Sequence, residues 1–143
     1  MVRVSHVLTV PGEVGRLAEV RAFVRDSTRG RIASRLVEDL VCAVDEAVTN
    51  VIVHGYQGTS GPVEIEVGGD SDTLEVRIAD RAIPFDPTTA PEPDLDLPLE
   101  RRPLGKMGVH LMREFADELR YTPRRGGGNE VTLVKRLPAR GGS

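Results

Sequence analysis

The sequence predicts a soluble α/β or α+β domain, and three observations carry that expectation. A 21-residue stretch from Leu36 to Tyr56 repeats its apolar residues at helical spacing. Several short runs elsewhere alternate apolar and polar residues, as half-buried strands do. The composition, 39% hydrophobic and 29% charged over 143 residues, is that of one ordinary globular domain with a core of its own.

The same numbers exclude several classes of function. A net charge of -3, 3% aromatic residues and no tryptophan leave neither the basic footprint nor the stacking platform of a nucleic-acid binder, so no direct nucleic-acid contact is expected. The single cysteine, Cys42, allows no intrachain disulfide and no cysteine-based zinc motif, which suits a reducing cytoplasm. No run approaches the roughly 20 apolar residues of a membrane span, and the start has no signal-peptide pattern, so no membrane role and no export are expected.

In chain order, Val2, Val4, His6, Leu8 and Val10 alternate up to Pro11 and Gly12, predicting a first strand. From Glu13 to about Ser27, Val14, Leu17, Ala18, Val20 and Val24 predict an amphipathic helix with Arg16, Glu19, Arg21 and Arg25 on its solvated side. Thr28, Arg29 and Gly30 interrupt it, and the second helix begins near Ile32. Its stripe is Val37, Leu40, Val41, Val44, Val48, Val51 and Ile52, with Gly55 as the stop.

Projected at about 100° per residue, Glu46 and Asn50 lie one turn apart, roughly opposite that stripe. Cys42, Ala43 and Val53 flank them without charge, the expected floor of a pocket. A carboxylate that can take a proton, beside an amide oxygen that can hold a hard cation, is what metal-assisted phosphoryl transfer requires within one turn.

Beyond the turn at 57–62, Val63, Ile65 and Val67, then Leu74, Val76 and Ile78, predict a hairpin closed by a turn at 68–72. Its second strand ends at Asp80, an acceptor placed beside Ala82, Ile83 and Phe85 that could receive an exocyclic amine in an apolar slot. Residues 86–104 are proline-rich and aperiodic, the pattern of a functional lid or a disordered segment. Gly105, Lys106, Met107 and Gly108 then open a helix with Leu111, Met112, Phe115 and Leu119 on one face, and a glycine-rich helix start suits a phosphate. A strand from Leu119 to Tyr121, a glycine-rich turn, a strand from Asn129 to Leu137 and a polar tail at 138–143 complete one domain spanning 1–143.

The order of these pieces resembles a known family. DEAVTNVIVHGY is similar to the N box of the GHKL ATPases, in the form found in anti-sigma factor serine kinases of the RsbW and SpoIIAB type. DRAIPFDP is similar to that group's short G1 box, GKMGVHLMREFADELRY to its G2 box with the following helix, and GGGNEVTLVKRL to its closing strands.

The resemblance implies a Bergerat fold, an α/β two-layer sandwich with helices on one face of a mixed, mostly antiparallel sheet. It implies Glu46 as general base, Asn50 holding Mg²⁺ on the phosphates of ATP, and Asp80 taking the adenine amino group beside Ala82. His54 and Gly55 would line the phosphate side. Gly105, Lys106, Met107, Gly108, Val109 and His110 would wrap the phosphates as the 86–104 lid closes, and Thr132 would support the adenine end.

The implied activity is that of an ATP- and Mg²⁺-dependent protein-serine kinase. It would phosphorylate a STAS-type anti-sigma antagonist, sequester a sigma factor and act as a homodimer in the cytoplasm, with ATP or ADP bound. The alternative is a non-catalytic nucleotide-binding partner switch of the same fold. Ala82 and Pro84 stand where broader members of the family carry glycines, which places a Cβ next to the expected adenine.

Overall fold

The computed structural model describes residues 4–56, 59, 61–82 and 106–138, with side chains described from residue 5 in the first of these segments and from residue 111 in the last. The lid expected at 86–104, Ile83, Pro84, Phe85 and Gly105, and residues 139–143 of the tail lie outside them.

Five strands form one sheet: β1 (Val4–Pro11), β2 (Pro62–Gly69), β3 (Thr73–Asp80), β4 (Glu118–Pro123) and β5 (Asn129–Arg136), in the order β1-β2-β3-β5-β4. Every pairing between these five strands is antiparallel, where a mixed, mostly antiparallel sheet was expected. Helices α1 (Leu17–Thr28), α2 (Ser34–Asn50) and α3 (Lys106–Phe115) complete the described elements, with a short 3-10 turn at Val14–Arg16 leading into α1.

The strand alternation decides which face of the sheet is covered. Val63, Ile65 and Val67 of β2, Leu74, Val76 and Ile78 of β3, and Leu133 of β5 are all buried and in register across the three inner strands. They meet Val20 and Val24 of α1, the stripe Val37, Leu40, Val41, Val44 and Val48 of α2, and Met112 and Phe115 of α3 in one core. Each such side chain removed from water contributes about 1.5–3 kcal/mol before the entropy of ordering is subtracted. This common core is why the 3.6-residue and two-residue periods of the sequence agree on a two-layer arrangement.

The other face is ionic. Arg77 in β3 reaches across to Glu64 and Glu66 of β2, bonding Glu66 at 3.0 Å, with Glu130 of β5 at 3.9 Å.

Two boundaries differ from the sequence reading. The apolar period of α2 runs on through Ile52, yet after Asn50 the backbone widens into a π-helical turn, Val51–Gly55, closed by the Tyr56 N–H donating to the Val51 carbonyl at 2.8 Å. Helix α3 stops at Phe115, and Leu119, which the sequence placed both on its apolar face and at the start of a strand, lies in β4, paired with Leu133. The Ala116 N–H still bonds the Met112 carbonyl, but the Asp117 N–H bonds the Val134 carbonyl of β5, so the chain has already joined the sheet.

Arg31, between α1 and α2, locks the tip of the β2–β3 hairpin. Its guanidinium donates to the carbonyls of Gly68 at 3.1 Å, Thr73 at 3.2 Å and Asp70 at 3.3 Å. Burial holds its pKa below the usual value, with Asp70 opposing the shift.

Candidate functional site

Helix α2 supplies one wall. Its stripe faces the core, and its Glu38 and Asp45 flank faces α1, where they bind Arg25 at 2.9 Å and Arg21 at 2.8 Å. The opposite flank packs on α3 and carries Ala43 and Ala47. Ala43 is fully buried in the core, so it is no part of a pocket floor, which corrects that part of the sequence reading. Glu46 is exposed and Asn50 partly buried, four residues apart and therefore about 6 Å apart along the axis. Cys42, Val53 and His54 are exposed beside them.

The strand end supplies a second wall. Asp80 is 3% exposed, and its Oδ1 accepts two hydrogen bonds: from the Ala82 N–H at 2.8 Å and from Asn129 Nδ2 at 3.0 Å. Asn129 is itself buried, and its Oδ1 accepts from the Tyr121 hydroxyl at 2.9 Å. The Asp80 carbonyl accepts from Arg124 Nη1 at 3.1 Å. A Cβ built on Gly128 would stand 2.1 Å from that carbonyl, and Gly128 has φ +112°, so both the close approach and the backbone require glycine there.

Tyr56 joins the two walls. Its hydroxyl donates to the Pro62 carbonyl at 2.6 Å and accepts the Arg81 N–H at 2.8 Å, so the residue that closes the π-helical turn also holds the residue after Asp80. Burial raises its phenol above the ordinary 10.0, with the bond from Arg81 opposing. The turn itself lies on Ala82: a Cβ built on Gly55 would be 2.8 Å from the Ala82 Cβ. The Ala82 methyl therefore occupies the room that glycine leaves at 55. Gly55, expected on the phosphate side, sits instead against Ala82, at the Asp80 end.

Of the other residues expected in the site, Lys106, Met107, Gly108, Val109 and His110 form the first turns of α3. Thr132 requires correction. The register pairs Asp80 with Asn129, and Thr132, three residues on, points to the opposite face of the sheet between Arg77 and Arg120. It cannot reach the side of the sheet on which Asp80 lies. The position opposite Asp80 belongs to Asn129, which the sequence reading treated only as a strand start, as it treated Tyr56 only as a helix end. The available signal was the glycine-rich turn, which forces a close return of the chain and so puts its next residue opposite a strand end.

The donors at Glu46 and Asn50 are hard oxygens on an accessible face, and no group of three or more His, Cys, Asp or Glu side chains among the described residues could hold a metal. That set suits a cation that keeps most of its water and takes its other oxygens from phosphates, as Mg²⁺ does.

Comparison with known proteins gives the family. Residues 10–135 match the histidine kinase-like ATPase domain model. The chain is 30% identical over 112 residues to the serine-protein kinase RsbW of Bacillus cereus, covering 71% of this chain and 69% of that protein. RsbW of Bacillus mycoides matches over the same lengths at the same identity. The serine/threonine-protein kinase BtrW of Bordetella bronchiseptica is 33% identical over 107 residues, covering 74% and 75%. With a helix bearing Glu46 and Asn50, a buried strand-end aspartate and a family match over nearly all of its length, the chain belongs to the histidine kinase-like ATPase family and is similar within it to the RsbW-type serine-protein kinases.

Proposed function

We infer that this chain is a protein-serine kinase that transfers the γ-phosphoryl group of ATP to a serine of a partner protein. The observation that carries this reading is the union of two walls, Glu46 with Asn50 on α2 and Asp80 on β3, tied together through Tyr56. Phosphoryl transfer asks for positioning and charge neutralisation more than for covalent help.

Asp80 receives the adenine amino group on the carboxylate oxygen that Ala82 and Asn129 leave to it. Asn50 holds Mg²⁺, which supplies charge neutralisation on the phosphates. Glu46, exposed to an incoming protein, accepts the proton of the serine hydroxyl as its oxygen attacks. The backbone at the start of α3, from Lys106 to His110, faces the phosphates with its N–H groups, and Gly105 and the proline-rich 86–104 segment close over them.

The relatives' names supply the acceptor class, serine for RsbW and serine or threonine for BtrW, and we take serine. The partners we propose are a STAS-type antagonist as substrate and a sigma factor as the sequestered protein, held by a cytoplasmic homodimer. Among the described residues no helix is long and apolar enough to cross a membrane.

The test is calorimetric titration with ATP and ADP, with and without Mg²⁺, followed by single-turnover transfer to an antagonist. Glu46→Gln should bind ATP with unchanged affinity and lose transfer by about 10²–10⁴-fold. Asn50→Ala should lose the Mg²⁺-dependent part of binding. Transfer by Glu46→Gln at the normal rate would remove the base assignment. Nucleotide binding without transfer in the unaltered chain would favour the partner-switch reading.

A further inference from the structure

We propose that Asn129, oriented by Tyr121, is a positioning residue that fixes Asp80 as a one-way acceptor and thereby sets selectivity for a 6-amino purine over a 6-oxo purine. This rests on the reading of Asp80 as the adenine contact and deepens it.

Three strands build the arrangement. Asp80 at the end of β3 pairs with Asn129 at the start of β5. Tyr121 of β4 pairs with Val131, which makes Asn129 its diagonal neighbour, within reach of a long aromatic side chain. The hydrogen bonds run in one direction: Tyr121 hydroxyl to Asn129 Oδ1 at 2.9 Å, then Asn129 Nδ2 to Asp80 Oδ1 at 3.0 Å. Both ends of the amide are thus assigned. A carboxylate accepts only, so the NH₂ end must face Asp80, and the carbonyl end takes the phenol.

The consequence lies in the carboxylate. Both donors, Asn129 Nδ2 and the Ala82 N–H, fall on Oδ1, which stops the group from rotating and leaves Oδ2 as the oxygen presented to a base. Asp80 is 3% exposed, and a carboxylate buried that deeply without donors to hold it would turn toward water. That turn would take its oxygen away from the base edge and remove the discrimination between an amino and an oxo group. Fixed by Asn129, it accepts from a 6-amino group and repels a 6-oxo group. Selectivity is built here as much from the rejected base as from the accepted one.

The experiment compares ADP with IDP, which carries oxygen in place of the amino group, by calorimetry in Mg²⁺ on the full chain, on Asn129→Leu and on Tyr121→Phe. The unaltered chain should prefer ADP by roughly a hundredfold, Asn129→Leu should reduce that ratio at least about tenfold, and Tyr121→Phe should reduce it by about threefold or more. A merely structural role would weaken both nucleotides alike, so an unchanged ADP-to-IDP ratio in folded Asn129→Leu overturns the proposal. If Asn129→Leu does not fold, an unchanged ratio in Tyr121→Phe does so instead. If the unaltered chain binds neither nucleotide, the nucleotide reading itself falls and takes this proposal with it. Tight ADP binding with no preference over IDP sinks the proposal alone.

Discussion

Removing one oxygen, by Tyr56→Phe, tests how the two walls of the site are joined. The ring is 7% exposed and stays in place, because Gly12 and Gly61 leave room for it: a Cβ built on Gly61 would lie 2.3 Å from the ring. What is lost is a donor to the Pro62 carbonyl and an acceptor for the Arg81 N–H. Each bond is worth about 1 kcal/mol net, and Pro62 and Arg81 are exposed residues that water can partly satisfy, so the total is about 2 kcal/mol and not the larger penalty of orphaned buried groups.

For a chain of this size that corresponds to a fall in Tm of about 6 °C. Urea unfolding should show a lower midpoint with an unchanged slope, and ADP affinity should fall as the Asp80 end loosens. The phenol adds a pH signature. Its folded pKa is raised above 10.0, so the stability it contributes is intact below about pH 10 and is lost as pH rises through the folded value. The stability difference between the two proteins should therefore shrink above pH 10. A variant within about 0.5 kcal/mol of the unaltered chain, with the same alkaline profile, would refute the reasoning.

Gly55→Ala should cost about 1–2 kcal/mol, the clash with Ala82 outweighing the gain from a better helix former, and Ala82→Gly in the same chain should restore most of it in a thermal double-mutant cycle. Gly128→Ala, strained both by its φ of +112° and by the Asp80 carbonyl 2.1 Å away, should cost more than about 2 kcal/mol and abolish measurable ADP binding in calorimetry. Arg31→Ala should cost about 2–3 kcal/mol and speed hydrogen exchange at the Asp70 and Thr73 amides of the hairpin tip. Arg16→Ala, which breaks only an exposed pair with Glu19, should stay within about 0.5 kcal/mol.

The elements themselves were legible because each buries one face, and burial of one face writes a period into the chain. Val20 and Val24, the α2 stripe from Val37 to Val48, and Val63 to Val67 against Leu74 to Ile78 proved to be core, with Val51 and Ile52 partly buried against it. The π-helical turn was not legible, since Val51 and Ile52 continue the apolar period while the backbone bonds change beneath it.

Leu119 was ambiguous because it fits both a helix face and a strand, and pairing with Leu133 decided the matter. The assignment of Thr132 to the adenine end failed for a related reason. Which face a strand residue occupies depends on register, and the register of β5 is set by β3, some fifty residues earlier in the chain. Asn129 was hidden by the same fact: the glycine-rich turn before it marks a close return of the chain, but only the register of β5 on β3 makes it the partner of Asp80. Glu46, Asn50 and Asp80 could be singled out in advance because their contexts, an uncharged helix flank and a strand end, are local.

The strand order β1-β2-β3-β5-β4 has a consequence for how the chain matures. Strand β5 lies between β3 and β4, although it follows both in the chain, and β4 has no described strand partner except β5. Until residue 136 has emerged, the inner edge of β3 stands open with Leu74, Val76 and Ile78 unmatched, and β4 has no strand to join. The nascent chain can collect α1, α2 and the first hairpin early, but the Asp80 end closes only when β5 is inserted. A chain stalled or cut before β5 would therefore present an exposed strand edge to other nascent chains, a form prone to aggregate.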